Sequence, residues 1–201
     1  MLDRFALPLF SLPLHGAARL CRRVGLSANA VTLAGLVVGL AGAALIATGF
    51  YGAGLALVLA NRFLDGVDGT MARMAGPTDR GGFLDIVCDF LFYAAVPLAF
   101  AYANPVENAL AAATLLAAFI GTGSSFLAFA AITAKRGQTS PIYPNKAFYY
   151  LGGLTEGTET IVAFCVMCLS PTQFATVAYV FAAMCAVTIV TRVVFGARAL
   201  G

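Results

Sequence analysis

Residues 65–89 carry four aspartates in the pattern Asp65-Gly-Val-Asp68-Gly69-Thr-Met-Ala72-Arg73, followed by Gly81-Gly-Phe-Leu-Asp85-Ile-Val-Cys-Asp89. Residues three or four apart lie on one face of a helix, so each half of the pattern predicts a helix with a stripe of carboxylates. Only the short segment from Met74 to Arg80 separates the two halves. The two helices are therefore expected to be antiparallel neighbours that hold their aspartates at comparable depth.

The rest of the chain is too apolar for a soluble protein of its size. Of 201 residues, 61% are apolar and 10% are charged, and the mean hydropathy is +0.90. A soluble domain has about 25% charged residues. A core of this size cannot bury so much apolar surface, so lipid must contact the remainder. The net charge of +3 is mild and gives no indication of a nucleic-acid partner.

The apolar runs predict one all-α integral membrane domain over residues 1–201, with a six-helix transmembrane bundle over 28–197. The expected spans are 28–49, 53–75, 81–103, 107–133, 147–169 and 173–195. Within residues 1–24, the stretch 3–24 mixes arginines with apolar residues. It predicts an amphipathic helix on the membrane surface, interrupted at Pro8 and Pro13.

Basic residues indicate the orientation of this bundle. With six spans, both tails and two of the loops share one side of the membrane, and the Lys and Arg residues of the tails and loops are confined to that side. They are Arg4, Arg19, Arg22, Arg23, Arg198, Arg73, Arg80, Lys135, Arg136 and Lys146. The positive-inside rule therefore predicts an inner-membrane protein whose termini and aspartate site face the cytoplasm.

The four aspartates predict a divalent metal site. Carboxylates that converge within a membrane repel one another and are costly to desolvate, and divalent cations offset both effects. Aspartate oxygens suit Mg²⁺ or Mn²⁺, and shared carboxylates could bridge two such ions. Small side chains at Gly69, Ala72 and Gly81 leave room for a bulky ligand, and Arg73 is suited to a phosphate.

Two alternatives explain parts of the same pattern. The aspartates could be helix caps or ion-pair partners of Arg62, Arg73 and Arg80. The chain could also be a cation channel or transporter that binds ions at the aspartates in transit. A conduction path would not require Gly69, Ala72 and Gly81, and an arginine beside it would be unfavourable.

The motif resembles the signature of the CDP-alcohol phosphotransferase family. That signature is D-x-x-D-G-x-x-A-R, seven or eight residues, then G-x-x-x-D-x-x-x-D, and every fixed position matches here. The six-helix arrangement with a surface helix is also similar to the family. Ser27-Ala-Asn29-Ala-Val-Thr32 resembles the N-x-x-T start of the family's first helix, which lies near the nucleotide.

The resemblance implies an enzyme of phospholipid biosynthesis that transfers a phosphatidyl-type group from a CDP-activated donor, such as CDP-diacylglycerol, to an alcohol, with release of CMP. It implies a two-metal centre at Asp65, Asp68, Asp85 and Asp89, with Asp89 also the general base. Asp68, Gly69, Ala72, Arg73 and Gly81 would contact the CDP portion. The family also implies a homodimer.

The acceptor alcohol is left open by the sequence. Glu156 and Glu159 could recognise a cationic or polyhydroxyl acceptor from within the fifth span. Alternatively, Gly152-Gly153 breaks that helix, and the two glutamates begin its second half. Lys135 and Arg136, with Lys146, could instead bind a phosphorylated acceptor.

Overall fold

The computed structural model describes residues 3–137 and 153–201. Seven α-helices follow one another in these ranges: α1 (Asp3–Arg23), α2 (Ala28–Ala47), α3 (Tyr51–Ala75), α4 (Asp79–Ala103), α5 (Pro105–Lys135), α6 (Gly157–Leu169) and α7 (Phe174–Leu200), with a 3₁₀ turn at Pro171–Gln173. The described part of the chain contains no strand, so the all-α prediction agrees with the structure.

Four helical segments are long and apolar enough to cross a membrane: Ala28–Ala47, Asp79–Ala103, Pro105–Lys135 and Pro171–Leu200. Large apolar side chains such as Val37, Leu98 and Leu110 are exposed on them, as expected for surfaces that contact lipid. Helix α3 is 25 residues long, about 37 Å at 1.5 Å per residue, but it carries Arg62 and the first two motif aspartates. Helix α6 is apolar and shorter.

Two sequence predictions about helix continuity are wrong. Helix α1 continues through Pro8 and Pro13. Packing of Leu14 and Ala18 against Val31 and Val67 stabilises the helix next to Pro13 and offsets the backbone hydrogen bond that this proline lacks. The predicted helix 147–169 is not continuous, and its described helical part is α6, which begins at Gly157. Residues 153–156 are not helical, and 138–152 lie outside the described residues.

Close helix packing at glycines holds α2 against α3. A Cβ atom on Gly42 would lie 3.0 Å from the carbonyl oxygen of Gly54, and one on Gly39 would lie 3.0 Å from Nδ2 of Asn61. Only glycine allows such an approach, as expected for small residues between membrane helices. This packing sets the orientation of the α3 face that carries the aspartates.

The core lies at the centre of the bundle and is rich in aromatic side chains. Phe92, Phe100, Phe164 and Phe174 have no exposed surface. The rings of Phe100 and Phe174 stack at 4.4 Å between centroids, and those of Phe92 and Phe164 meet edge to face at 6.2 Å. These contacts tie α4 to α6 and α7, so α4 presents its aspartates from a rigid support.

Candidate active site

Three of the four motif aspartates meet between α3 and α4. Asp65, Asp68 and Asp85 each offer a carboxylate oxygen, and these oxygens all lie within 4.8 Å of one another. A short connection joins the two helices, and both pack mainly against α2 and not closely against each other, so the two stripes meet beside α2. This is the convergence that the spacing of the motif predicts.

The donor set fits a hard divalent cation. Asp68 is only 4% exposed, and its Oδ2 is buried without a hydrogen-bond partner among the described residues. A buried carboxylate oxygen is normally hydrogen-bonded or ligated. With two further carboxylates close by, Asp68, Asp65 and Asp85 are suited to hold Mg²⁺ or Mn²⁺ through oxygen ligands.

Asp89 lies one helical turn beyond Asp85 and is not a member of the tight group of three. Its Oδ1 accepts a hydrogen bond of 2.8 Å from Nη2 of Arg62. Nη1 of the same guanidinium is 3.6 Å from Oδ2 of Asp65. The alternative that these aspartates form ion pairs is therefore correct for Arg62, although Asp89 stays about one-third exposed.

Arg62 is the centre of a hydrogen-bond chain that the sequence alone did not indicate. Nδ2 of Asn61 donates to the carbonyl oxygen of Gly35 at 2.8 Å, and Oδ1 of Asn61 accepts from Nε of Arg62 at 2.9 Å. Nη1 of Arg62 donates to the Tyr93 hydroxyl at 3.1 Å. The feature of the sequence that could have indicated this role is the presence of an arginine in a predicted membrane span, one turn before the first motif aspartate.

The small motif residues border the same site. Nη1 of Arg73 would lie 3.4 Å from a Cβ atom on Gly69, so the arginine folds over that glycine. The guanidinium also donates to the Thr70 hydroxyl at 3.1 Å. Arg73 is exposed at the end of α3, where it can reach a ligand that enters from outside the bundle.

The start of α2 lies beside this site. A Cβ atom on Gly81 would lie 3.4 Å from Oδ1 of Asn29 and 3.1 Å from Oγ1 of Thr78, the residue that caps α4. A small cavity adjoins the aspartates. Its lining comprises Thr32, Gly35, Leu36, Asn61, Arg62, Asp65, Asp68, Cys88 and Asp89.

Glu156 and Glu159 form a capping box at the start of α6. The Glu156 side chain accepts from the backbone of Glu159, and Oε2 of Glu159 accepts from the Glu156 N–H at 3.2 Å. Gly153 N–H also donates to Oε1 of Glu156, at 3.3 Å. The two glutamates therefore begin a helix, as the second sequence alternative stated, and do not lie within a continuous fifth span.

Of the other candidate acceptor residues, Lys135 and Arg136 lie at the end of α5, and Lys146 lies outside the described residues. Lys135 is exposed, whereas Nη2 of Arg136 donates to the carbonyl oxygen of Leu200 at 2.7 Å and links α5 to the end of α7. A third cation, Arg192 of α7, is 8% exposed. Its Nη1 donates to the carbonyl oxygen of Thr122 at 3.0 Å. The sequence did not single out Arg192 as a site residue.

Comparisons with known proteins agree with this geometry. The chain is 52% identical over 193 residues to the inner membrane protein YnjF of Escherichia coli, covering 96% of this chain and 94% of that protein. It is 43% identical over 70 residues to the archaetidylinositol phosphate synthase of Methanothermobacter thermautotrophicus, covering 34% of this chain and 36% of that one.

Solved structures share the fold. The phosphatidylinositol phosphate synthase PgsA1 of Mycobacterium tuberculosis with CDP-DAG bound has a TM-score of 0.72 at 25% identity, over 90% of this chain and 91% of that chain. The same enzyme with manganese and citrate has a TM-score of 0.73 at 24% identity, over 91% and 88%. The family profile of CDP-alcohol phosphatidyltransferases matches residues 26–195. The chain belongs to this family and is an enzyme of the CDP-alcohol phosphatidyltransferase type.

Proposed function

We propose that this enzyme transfers the phosphatidyl group of CDP-diacylglycerol to the hydroxyl of an acceptor alcohol and releases CMP. The observation that carries the proposal is the convergence of Asp65, Asp68 and Asp85 within 4.8 Å. In a membrane protein such a cluster needs cations, and the neighbouring Gly69 and Gly81 leave space for a ligand beside it. Membership of an enzyme family disfavours the channel or transporter alternative.

Asp65, Asp68 and Asp85 would hold Mg²⁺ or Mn²⁺, with Asp89 as a ligand to the second of two ions. When bound, the ions neutralise charge on the pyrophosphate of the donor as CMP departs. The buried Asp68 oxygen without a hydrogen-bond partner supports this assignment. PgsA1, which shares the fold, has been solved with manganese.

The nucleotide end of the donor would lie across Asp68, Gly69, Ala72, Arg73 and Gly81. The side chain of Arg73 is exposed beside Gly69, where its planar fork can donate to a phosphate oxygen. The side chain of Asn29 lies beside Gly81 in space and would contact the same nucleotide end of the donor. The diacylglycerol chains would extend along the exposed apolar faces of the helices, where they stay in lipid.

Asp89 would act as the general base. Its carboxylate is about one-third exposed and lines the cavity, so an acceptor hydroxyl can reach it. Asp89 takes the hydroxyl proton while the acceptor oxygen bonds to the lipid-linked phosphorus. The bond from that phosphorus to the oxygen of CMP breaks, and CMP leaves with the electron pair.

For the acceptor, the proposal favours a phosphorylated alcohol. Lys135 is exposed at the end of α5, which connectivity places on the same side of the bundle as the α3–α4 connection. Glu156 and Glu159 instead accept the backbone N–H groups at the start of α6. The synthases to which the chain is similar include makers of phosphatidylinositol phosphate and archaetidylinositol phosphate.

The same proposal includes the arrangement in the membrane. Helices α2 to α7 would cross the inner membrane, with α1 on its surface and both termini and the aspartates on the cytoplasmic side. The exposed arginines Arg19, Arg22 and Arg23 of α1 support this orientation. A homodimer follows from the family resemblance.

The experiment is CMP release by purified enzyme supplied with CDP-diacylglycerol, Mn²⁺ or Mg²⁺, and matched pairs of alcohols with and without a phosphate. We expect metal-dependent release that is faster with the phosphorylated member of a pair. Asp89→Asn should abolish release and leave donor binding largely intact. No metal-dependent release with any acceptor would refute the proposal, and full activity of Asp89→Asn would exclude Asp89 as the base.

A further inference from the structure

We propose that Arg62 is a positioning residue that holds the Asp89 carboxylate for its work as base, at the expense of metal affinity. The inference rests on the proposed function, because it assigns Arg62 a part in the transfer reaction. Arg62 donates to Asp89 at 2.8 Å and lies 3.6 Å from Asp65. It is only 16% exposed, so solvent screens these contacts weakly.

Each nitrogen of the guanidinium donates to a different residue of α3 or α4. Nε is held by Asn61, which is itself tied to α2 through the Gly35 carbonyl. Nη1 is held by Tyr93, one turn beyond Asp89 on α4. The carbon of the guanidinium also lies 4.7 Å from the centre of the Phe92 ring. Because these contacts hold the planar guanidinium on three sides, Nη2 has a single position, and from there it donates to Asp89.

The contact with Arg62 distinguishes Asp89, which is proposed both as a metal ligand and as the base, from the other three aspartates. Asp65, Asp68 and Asp85 form the tight oxygen cluster, and Asp89 lies outside it. The hydrogen bond from Arg62 fixes the orientation of the Asp89 carboxylate. The exposed part of that carboxylate remains available to an acceptor in the cavity. Misplacement of a reacting group by about 1 Å can cost about 100-fold in rate, so this orientation bears directly on kcat.

The charge of Arg62 acts in the opposite direction on the metal. A fixed positive charge within hydrogen-bond distance of one carboxylate and 3.6 Å from another reduces the negative potential of the cluster. Removal of that charge should therefore strengthen binding of a divalent cation. A residue that only stabilised the fold would not have opposite effects on turnover and on metal affinity.

The test compares Arg62→Gln with Arg62→Lys in the full-length enzyme. For each variant, kcat and the KM of both substrates are measured by CMP release, and Mn²⁺ affinity is measured without substrates by electron paramagnetic resonance. We expect kcat to fall about 10- to 100-fold in Arg62→Gln, with little change in the donor KM. Its Mn²⁺ dissociation constant should fall at least about 3-fold.

Arg62→Lys keeps the charge but cannot reproduce the planar fork. We expect its kcat to fall as well, while its Mn²⁺ affinity stays close to that of the wild type. Arg198→Gln is the control for loss of one arginine, because Arg198 is exposed at the end of α7. It should change neither quantity. Wild-type kcat in Arg62→Gln, or weaker Mn²⁺ binding together with lower kcat, would overturn the inference.

Tyr93→Phe covers the case in which Arg62→Gln does not fold. It removes the hydroxyl that accepts from Nη1 of Arg62 and keeps a ring that packs against Phe164 and Phe119. We expect kcat to fall about 3- to 10-fold with unchanged Mn²⁺ affinity, and an unchanged kcat would overturn the inference. If wild-type enzyme releases no CMP, the proposed function fails, whereas the metal-affinity comparison still tests the effect of the Arg62 charge.

Discussion

Leu14 of α1 lies directly against Gly66 of α3, so close that a Cβ atom on Gly66 would be 2.8 Å from Cδ2 of the leucine. Gly66 is the residue after the first motif aspartate. The contact joins a cluster with Val67 and Met71, also on α3. Helix α1 therefore supports α3, the helix that carries Asp65 and Asp68.

Truncation of Leu14 should loosen this support. Leu14 is 7% exposed, and replacement of a buried leucine by alanine costs about 2 kcal/mol or more. We expect Leu14→Ala to lower the thermal unfolding midpoint in detergent. Leu12→Ala is the matched control, because Leu12 is 86% exposed. Equal midpoints for the two variants would contradict a supporting role for α1.

Gly81 should tolerate a side chain less well than its neighbour Gly82. A Cβ atom on Gly81 would crowd Thr78 and Asn29, whereas one on Gly82 would have no atom within 4 Å. We expect Gly81→Val to raise the KM for CDP-diacylglycerol about 10-fold or more, because the added methyl groups occupy space proposed for the nucleotide.

Steady-state kinetics at saturating acceptor would measure this KM. Gly82→Val lies one residue away on the same helix and should leave it unchanged. A donor KM that rises equally in both variants would indicate a general disturbance of α4, and one that is unchanged in Gly81→Val would remove Gly81 from the donor site.

Substitution of Glu156 should lower the stability of the protein and leave recognition of the acceptor unchanged. Its side chain caps α6 together with Glu159, and loss of an N-terminal cap typically costs about 1 kcal/mol. We expect Glu156→Ala to lower the unfolding midpoint and to leave the KM for the acceptor unchanged. A raised acceptor KM without loss of stability would instead place Glu156 in the acceptor site.

The sequence predicted the helices best where apolar runs are bounded by turn residues. The bounds of α2 and α4 differ from the predicted 28–49 and 81–103 by two residues at one end. The predicted helix 147–169 was wrong over 153–156, because reciprocal capping by Glu156 and Glu159 outweighs the apolar run. The uninterrupted α1 reflects tertiary packing that no local pattern contains.

The site was predictable only in part. Spacing predicted that Asp65, Asp68 and Asp85 would meet, because helical periodicity fixes which residues share a face. The roles of Asp89 and of the CDP-binding residues stay predictions. The contact between Arg62 and Asp89 joins residues 27 positions apart. It depends on how α3 and α4 each pack against α2 and on rotamers set by Asn61 and Tyr93, which the sequence pattern does not encode.

The central claim is that the aspartate cluster holds the metal on which transfer depends, and Asp68→Asn tests it most directly. The change keeps the shape of the side chain and removes the buried charge. Asp79→Asn is the matched control, since Asp79 is exposed in the first turn of α4. CMP release from CDP-diacylglycerol is measured for both variants across a Mn²⁺ titration.

We expect Asp68→Asn to lose at least about 100-fold in CMP release at saturating donor and acceptor and to bind Mn²⁺ more weakly, while Asp79→Asn matches the wild type. Wild-type CMP release and Mn²⁺ dependence in Asp68→Asn would contradict the central claim.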